Sequence, residues 1–268
     1  MRNLIKKLFG KKRVKWVNVN IKIENIKFGV IPSKRDDRDY LFILPPVSLP
    51  AVVDNSQYYN VKYQGNIGSC GAFAAINGLE HLDKVREPKR VAELSEAFMY
   101  WKVRQSDYMN TFPVDSGSNG RNLMKVLNKE GAILDSFYPY SGSTFNDGPK
   151  SNSVFISWVA KFWKIKKYEK CLDLTSIKNS LSLNKPVWLG VSCQESWYYY
   201  GYEGILEYDS SKPSIGGHAI ALVGYDDSKN AFKFVNSWGT NWGDNGFGYL
   251  SYDYLVKCIF WEAWTYEV

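Results

Sequence analysis

Cys70 is the residue with the most evident chemistry, and it follows a turn-rich, glycine-spaced segment, Gln64–Ser69. The residues after it have the pattern of a helix, which places Cys70 in the first helical turn with Ser69 as the predicted N-cap. The free N–H groups and the dipole of a helix N-terminus favour the thiolate, the reactive form of cysteine. The segment therefore predicts a nucleophile, although a lone cysteine is more often an inert core residue.

A thiolate nucleophile needs a base, and the sequence contains two histidines, His81 and His218. His81 lies eleven residues after Cys70 on the same predicted helix. That separation is roughly 16 Å along a helix axis, too far for a hydrogen bond, so we expect a surface or packing histidine. His218, which begins an apolar strand-like segment, is therefore the candidate base, although a histidine at a strand start is more often structural.

The segment after His218 is predicted to form a hairpin through the turn cluster 226–230. If Tyr225 faces Ala231, residue 236 faces residue 220, and His218 and Asn236 become diagonal neighbours on one face of the sheet. The Asn236 carboxamide could then orient the imidazole, as the third group of a catalytic triad does. A register shifted by one residue would separate the two side chains.

Two further features fit an acyl-transfer site. The side-chain amide of Gln64 and the backbone N–H of Cys70 could together hold an oxyanion. Trp238 and Trp242 lie in a glycine-rich segment directly after Asn236. They would shield the Asn–His pair from water, pack the core of a lobe, or do both.

These segments resemble the papain family of cysteine peptidases. The resemblance rests on Gln64 with Gly68–Phe73, on Gly217-His218-Ala219 and on the block Asn236–Gly246, and it extends over about residues 47–268. It implies a two-lobed papain-like fold that cleaves peptide bonds in the cleft between the lobes. The implied roles are nucleophile for Cys70, base for His218, orienter for Asn236 and oxyanion donor for Gln64. Gly117, in a glycine-rich wall, and Trp238 are the implied substrate-binding residues.

Three positions depart from the family pattern. Gly71 stands where many members have Trp, Ile67 where many have a disulfide-forming Cys, and Gly217 where Asp or Asn is frequent. The absence of this half-cystine is a feature in which the sequence resembles disulfide-poor microbial or viral members of the family. The four cysteines (Cys70, Cys171, Cys193 and Cys258) show no metal-binding spacing, so we expect no metal or cofactor, and a reducing compartment is compatible with them.

The net charge of +7 is concentrated in residues 1–16, which contain seven basic residues and no acid, leaving 27 basic and 27 acidic residues in the rest. The body has no nucleic-acid-binding signature, so we expect no nucleic-acid partner. The resemblance implies a polypeptide substrate, and we expect a monomer. The tail is either a solvated arm or a segment weakly attracted to anionic surfaces, without stable membrane insertion. With no signal peptide or apolar span apparent, a cytoplasmic or virion-associated protein is expected.

The pattern of elements indicates an α+β fold. Helices are predicted at 70–84, 92–104, 121–130 and 174–184, and strands at 186–192, 218–225, 231–236, 248–252 and 258–268. We therefore expect a helical N-terminal lobe and an antiparallel β-rich C-terminal lobe, with the active-site cleft between them.

The predicted domain boundary lies near residue 44, before a proline-rich stretch. Residues 1–44 form a basic extension, with a strand predicted at 17–28, and residues 45–268 form the peptidase domain. The extension either covers the cleft, as in a zymogen, or buttresses a lobe. The expected function is that of a cysteine endopeptidase working through a Cys70 thioester. The alternatives are a non-proteolytic binding protein on this fold and another acyl-transfer enzyme, an amidase or a transpeptidase.

Overall fold

The computed structural model describes residues 26–45, 48–89, 92–106, 109–141, 146–150, 153–200 and 204–268. Most of the predicted strand 17–28 and the whole basic tail lie outside these residues. The helices are α1 (Cys70–Arg86), α2 (Glu96–Gln105), α3 (Gly120–Lys129), α4 (Ser153–Ala160), α5 (Leu174–Ser182) and α6 (Tyr252–Lys257). The strands are β1 (Val52–Asp54), β2 (Lys167–Cys171), β3 (Val187–Cys193), β4 (Gly216–Asp226), β5 (Ala231–Val235), β6 (Phe247–Ser251) and β7 (Trp261–Glu267).

The helical lobe is built around α1, whose residues from Cys70 to His81 are all buried. The helix extends two residues beyond the expected end and stops before Pro88. The next helix, α2, begins at Glu96 rather than at Ala92, because Ser95 accepts a hydrogen bond from the Phe98 N–H and caps it there. Each end thus follows local capping chemistry that a periodicity alone does not locate.

The described strands form one antiparallel sheet in the order β2-β7-β3-β4-β5-β6, with β1 added against β4. The central strand β4 is buried on both faces. Alternate residues, including Ala219 and Ala221, pack with α1 in one core, while Ile220 and Leu222 pack with α5 in a second core. A strand between two cores can carry a buried side chain to the boundary of the lobes.

Several elements were not predicted from the sequence. The short strands β1 and β2 and the helices α4 and α6 were not anticipated. The predicted strand 258–268 is shorter and runs from Trp261 to Glu267. The predicted strand 248–252 ends at Ser251, because Ser251 accepts a hydrogen bond from the Tyr254 N–H and caps α6 there. In the described part of the chain, no helix has the length and apolar character needed to cross a bilayer.

Residues 32–44 of the extension lie against both lobes. The carboxylate of Asp39 accepts two hydrogen bonds from the guanidinium of Arg121 on α3, and Arg121 also donates to the Lys34 carbonyl oxygen. Further on, Leu41 forms a bridge to Lys170, and the Phe42 ring is buried in the core of the β-rich lobe. This part of the extension is an integral piece of the fold.

Candidate active site

The N-terminus of α1 holds Cys70, whose side chain is fully buried. The Ser69 side chain does not cap the helix as predicted. Its hydroxyl instead lies 2.7 Å from the Tyr140 hydroxyl, which donates to the Gln64 carbonyl oxygen at 2.8 Å. The hydroxyl that could have capped the helix therefore connects its start to the preceding turn and to Tyr140.

Burial dominates the electrostatics of the thiol. It raises the pKa of Cys70 to about 11, although the backbone N–H groups of Ala219, Gly29 and Gly71 act to lower it. The lowered pKa expected from the helix N-terminus is therefore not found with the cleft covered, because desolvation outweighs the dipole. The contact with Ala219 also places the thiol beside the residue that follows His218.

His218 lies on β4 with its imidazole fully buried. Its Nε2 is 2.8 Å from Oδ1 of Asn236, and the same oxygen accepts from the Ser237 N–H. Because an amide oxygen only accepts, Nε2 carries the proton and Nδ1 keeps its lone pair. Among the described residues, Nδ1 has no hydrogen-bond partner. Burial lowers the pKa of His218 to about 4, which the bond to Asn236 partly opposes.

The strand register that brings His218 to Asn236 differs from the predicted one near the turn. Tyr225 pairs with Phe232 rather than with Ala231, a slip of one residue. A bulge between Leu222 and Gly224 then removes the slip, and Ala221 pairs with Val235. The next step is residue 220 against residue 236, as predicted from the sequence, so the expected diagonal contact forms through two offsetting irregularities.

Aromatic rings enclose the imidazole of His218. The centroid of the Trp238 ring lies 4.8 Å away, that of Trp197 lies 5.8 Å away, and both indoles are fully buried. Trp242 packs edge-on against Trp238 at 5.6 Å. Trp238 therefore forms a wall behind the His218–Asn236 pair, and it also belongs to the core of the β-rich lobe, so its burial fits both the shielding and the packing interpretations.

Gln64 is buried at the junction of the two lobes. Its Nε2 donates to the carbonyl oxygens of Ile67, at 2.8 Å, and of Lys27, at 3.1 Å. Its Oε1 accepts from the Ser237 hydroxyl at 2.6 Å. Ser237, which was not singled out from the sequence, thus fixes Gln64 with its hydroxyl and supports Asn236 with its N–H.

Residues 29–31 of the extension lie in the cleft between the helical lobe and the β-rich lobe. The Val30 N–H donates to the Gly217 carbonyl oxygen at 2.9 Å. On the other side, Ser118 donates its N–H to the Gly29 carbonyl oxygen at 2.7 Å and accepts from the Ile31 N–H at 3.0 Å. The segment is therefore bonded as a short strand to both lobes, parallel to the chain at Ser118.

The fit of this segment is close. A Cβ at Gly29 would lie 1.9 Å from the Gly68 carbonyl oxygen, and one at Gly117 would lie 2.2 Å from the Gly29 carbonyl oxygen. Gly117 also has a φ of +78°, a left-handed conformation that favours glycine. The predicted wall residue Gly117 thus contacts the extension, while its neighbour Ser118 makes the backbone bonds.

Two side chains of the extension complete the cover. The Phe28 ring packs edge-on against His218 at 6.0 Å and against Trp238 at 6.1 Å, and it also contacts Tyr198 at 5.7 Å. The Lys27 ammonium pairs with the Asp115 carboxylate at 2.7 Å. The predicted base, the predicted oxyanion donor and the thiol are therefore all in contact with residues 27–29.

Two departures from the family pattern have structural explanations. A Cβ at Gly71 would lie 2.6 Å from the Ser118 hydroxyl, and Trp188 from β3 donates its indole N–H to the Gly71 carbonyl oxygen. A Cβ at Gly217 would lie 2.4 Å from the Val30 carbonyl oxygen. Small residues are needed at both positions because another part of this chain occupies the space.

His81 is remote from this site. It is buried, its Nε2 lies 2.9 Å from the Asn184 carbonyl oxygen, and its ring stacks near Tyr59. The four cysteines are all free, and no group of three or more metal-ligating side chains occurs among the described residues.

A family model described as papain family cysteine protease matches residues 49–267. A peptidase C1-like protein of Acanthamoeba polyphaga mimivirus is 27% identical over 258 residues, covering 85% of this chain and 82% of that protein. A viral cathepsin of Bombyx mori nuclear polyhedrosis virus is 31% identical over 70% of this chain, which spans about half (54%) of that protein. The crystal structure of xylellain, a cysteine protease from Xylella fastidiosa, superposes with a TM-score of 0.81 at 26% identity, over 90% of this chain and 96% of that one.

Proposed function

This chain belongs to the papain family of cysteine proteases and is a thiol-dependent endopeptidase of α+β fold, and we propose that Cys70 and His218 perform its chemistry. The observation that carries the assignment is the bond between His218 Nε2 and Asn236 Oδ1. This bond leaves the lone pair of His218 Nδ1 available to accept a proton. Ala219, the next residue along the same strand, contacts the thiol through its N–H. Because the papain family model describes proteases, polypeptides are the substrates.

The proposed reaction begins with transfer of the Cys70 proton to His218 Nδ1. The thiolate attacks the scissile carbonyl carbon, and the oxyanion is held by Gln64 Nε2 and the Cys70 N–H. Nδ1–H then protonates the leaving amine, which departs and leaves a thioester on Cys70. Water, deprotonated by Nδ1, hydrolyses the thioester and restores the thiol. Asn236 holds the Nε2–H throughout and keeps the imidazole in the productive tautomer.

Labelling with an epoxide or vinyl sulfone inhibitor tests the nucleophile, and it uses a chain lacking residues 1–31, so that residues 27–29 do not cover the thiol. We expect modification of Cys70 alone and loss of labelling in Cys70→Ala and His218→Ala. Cys193→Ala, which removes another fully buried thiol, is the matched control and should leave labelling unchanged. Labelling of Cys171, Cys193 or Cys258 at the rate of Cys70 would refute the assignment. A labelled Cys70 without peptide turnover would favour a binding protein or an acyl transfer to another acceptor.

We further propose that residues 26–31 inhibit the site and that residues 33–44 stabilise the fold. Two observations support the inhibitory assignment. The Lys27 carbonyl oxygen accepts a hydrogen bond from the side-chain amide of Gln64, the proposed oxyanion donor. Gly29 covers the thiol, and Phe28 covers the imidazole. The chain described here is then a zymogen. Burial keeps its reacting pair neutral, because a thiolate and an imidazolium are disfavoured without solvent.

Two truncations separate inhibition from support. A chain lacking residues 1–31 keeps the Asp39–Arg121 pair and the buried Phe42, and we expect its peptide turnover to rise at least about tenfold. A chain lacking residues 1–44 loses both contacts and should unfold at a lower temperature. Turnover that is equal in the full chain and in the chain lacking residues 1–31 would contradict inhibition.

A point variant makes the same test in the full-length chain. Gly29→Val puts a branched side chain where a Cβ already approaches the Gly68 carbonyl oxygen to 1.9 Å, so the segment has to leave the cleft. We expect turnover to rise as it does in the truncated chain. Ile31→Ala, at a side chain that is 41% exposed, is the control and should leave turnover low.

We also propose that the protein works in a reducing compartment, in the cytoplasm or in a virion. The support is that all four thiols are unpaired and that relatives occur in viruses. Thiol titration of unfolded protein, isolated without reductant, should find four free thiols. Two or fewer would contradict the proposal.

A further inference from the structure

An exposed row of aromatic side chains lies on the outer face of α4 and on the 3-10 turn that follows it. This aromatic ridge consists of Phe155, Trp158 and Phe162, which are 43%, 57% and 65% exposed. Their rings are in sequence, with centroids 6.3 Å apart between Phe155 and Trp158 and 5.0 Å apart between Trp158 and Phe162. Surface aromatics that are contiguous in this way indicate an interaction site, unlike scattered ones.

The opposite face of α4 is buried and holds the ridge in place. Ile156, Val159 and Ala160 pack into a core with side chains of α2 and with Ile133 and Tyr138, which lie between α3 and α4. The ridge therefore rests on a rigid element. It shares no residue with the cleft, so its role is independent of the proposed catalytic function.

The surroundings of the ridge are basic. Residues 153–168 contain four lysines, at positions 161, 164, 166 and 167, and no acidic residue. Lys161 and Lys166 are exposed. Lys167 pairs with Glu169 at 2.9 Å, and the nearby Glu130 pairs with Lys102 at 2.7 Å. At least Lys161, Lys164 and Lys166 thus give the ridge a positive border.

We propose that the aromatic ridge binds the surface of an anionic lipid bilayer. Tryptophan and phenylalanine rings insert at the boundary of headgroups and acyl chains, and each lysine near an anionic surface strengthens the attachment. The exposed rings and the exposed lysines Lys161 and Lys166 match these two requirements. The eight-residue α4 is too short to span the bilayer, so the contact is peripheral and reversible.

Charge argues against two other occupants. The N-terminal tail carries seven basic residues in positions 1–16 and no acid, so the lysine border repels it. A second copy of the chain would bring two lysine borders together at the same ridge, which is unfavourable. An anionic lipid surface is the partner that neutralises the border and buries the rings.

Vesicle co-sedimentation of the full-length chain tests the proposal. We expect binding to vesicles of phosphatidylcholine with phosphatidylserine, weaker binding to phosphatidylcholine alone, and a decrease at high salt. The double variant Trp158→Ser with Phe162→Ser should bind at least about tenfold more weakly, because two ring contacts are lost. Val256→Ser with Ile259→Ser, at apolar side chains 72% and 69% exposed elsewhere, is the matched control and should bind like the parent.

The basic tail is present in every variant, so the difference between the two double variants reports on the ridge alone. A loss of less than twofold in the ridge variant would overturn the proposal and assign the binding to the tail. Absence of binding by the parent would overturn it as well. The proposal would also be overturned if light scattering found that the parent is a dimer and the ridge variant is a monomer, because that result assigns the ridge to a second copy.

Discussion

The surroundings of the two histidines are closely similar by every local measure. Both imidazoles are fully buried, and burial lowers the pKa of each to about 4. Each Nε2 has an oxygen partner, at 2.9 Å for His81 and 2.8 Å for His218, and each Nδ1 lacks one among the described residues. Each ring also lies 4.8 Å from an aromatic neighbour.

The difference lies in what covers each ring. His81 is enclosed by Tyr58 and Tyr59, which belong to the body of the domain. His218 is covered on one side by Phe28, which belongs to the extension, and stands next to Ala219, whose N–H contacts the thiol. Burial and a shifted pKa therefore do not distinguish the proposed base from a packing histidine, whereas a cover from the extension and the neighbouring Cys70 do.

The largest expected effect separates the two histidines by activity. His218→Ala in the chain lacking residues 1–31 should lower peptide turnover about a thousandfold, because the group that accepts and returns the proton is lost. His81→Ala should leave the turnover of the folded fraction within about twofold. Turnover is measured per folded molecule, with circular dichroism as the check. Equal losses in both variants would show that the two histidines do not differ in function.

A second prediction uses acid stability. Each histidine has a folded pKa near 4 against an ordinary value of 6.5. Between these values the unfolded chain binds a proton that the folded chain does not, so stability falls as pH falls. A histidine buried in this way costs up to about 3 kcal/mol by pH 4. Denaturant unfolding across this pH range should show a shallower fall in His81→Phe.

Removing residues 1–31 should change the acid destabilisation that comes from His218 and leave unchanged the part that comes from His81. In the chain lacking residues 1–31, His218 gains solvent, its pKa rises, and its share of the acid destabilisation diminishes. The His81 share stays, because Tyr58 and Tyr59 are unchanged. An NMR titration that shows both imidazoles still titrating near 4 in this chain would contradict the removable cover.

The sequence was informative about the site because its residues lie in local patterns. The glycine-spaced turn before Cys70 and the block after Asn236 were recognisable, and the helix geometry correctly separated His81 from Cys70. The two-lobed α+β fold and the papain resemblance are confirmed. The hairpin register was wrong at Tyr225 and correct near Ala221 only because a bulge intervenes, and a bulge has no dependable sequence signal.

What the sequence did not reveal depends on contacts between distant segments. The raised pKa of Cys70 arises from burial under an extension about 40 residues away, which outweighs the local helix effect. Ser237 connects to Gln64 across the two lobes, and no spacing predicts that bond. The helix α4 was missed because apolar residues lie on its exposed face as well as on its buried face.

The smallest predicted effect concerns the partners of the two Nε2 atoms. For His81 the partner is a backbone carbonyl, which substitution cannot remove, and for His218 it is the side chain of Asn236. Asn236→Ala frees the imidazole to adopt the tautomer with the proton on Nδ1, which is the atom proposed to accept the thiol proton. We expect turnover of the chain lacking residues 1–31 to fall about tenfold.

The pH profile distinguishes this positioning role from a packing role. Loss of Asn236 also removes the bond that raises the pKa of His218. The imidazolium should then lose its proton at lower pH, so the alkaline limb of the rate profile should shift to lower pH. Asn236→Gln, which keeps the amide, should restore part of the rate. Ser237→Ala leaves the Asn236 amide in place and removes the hydroxyl that holds Gln64, so it should lower the rate without moving that limb. A limb that stays in place in Asn236→Ala would show that Asn236 only packs beside the ring, as Tyr59 does beside His81.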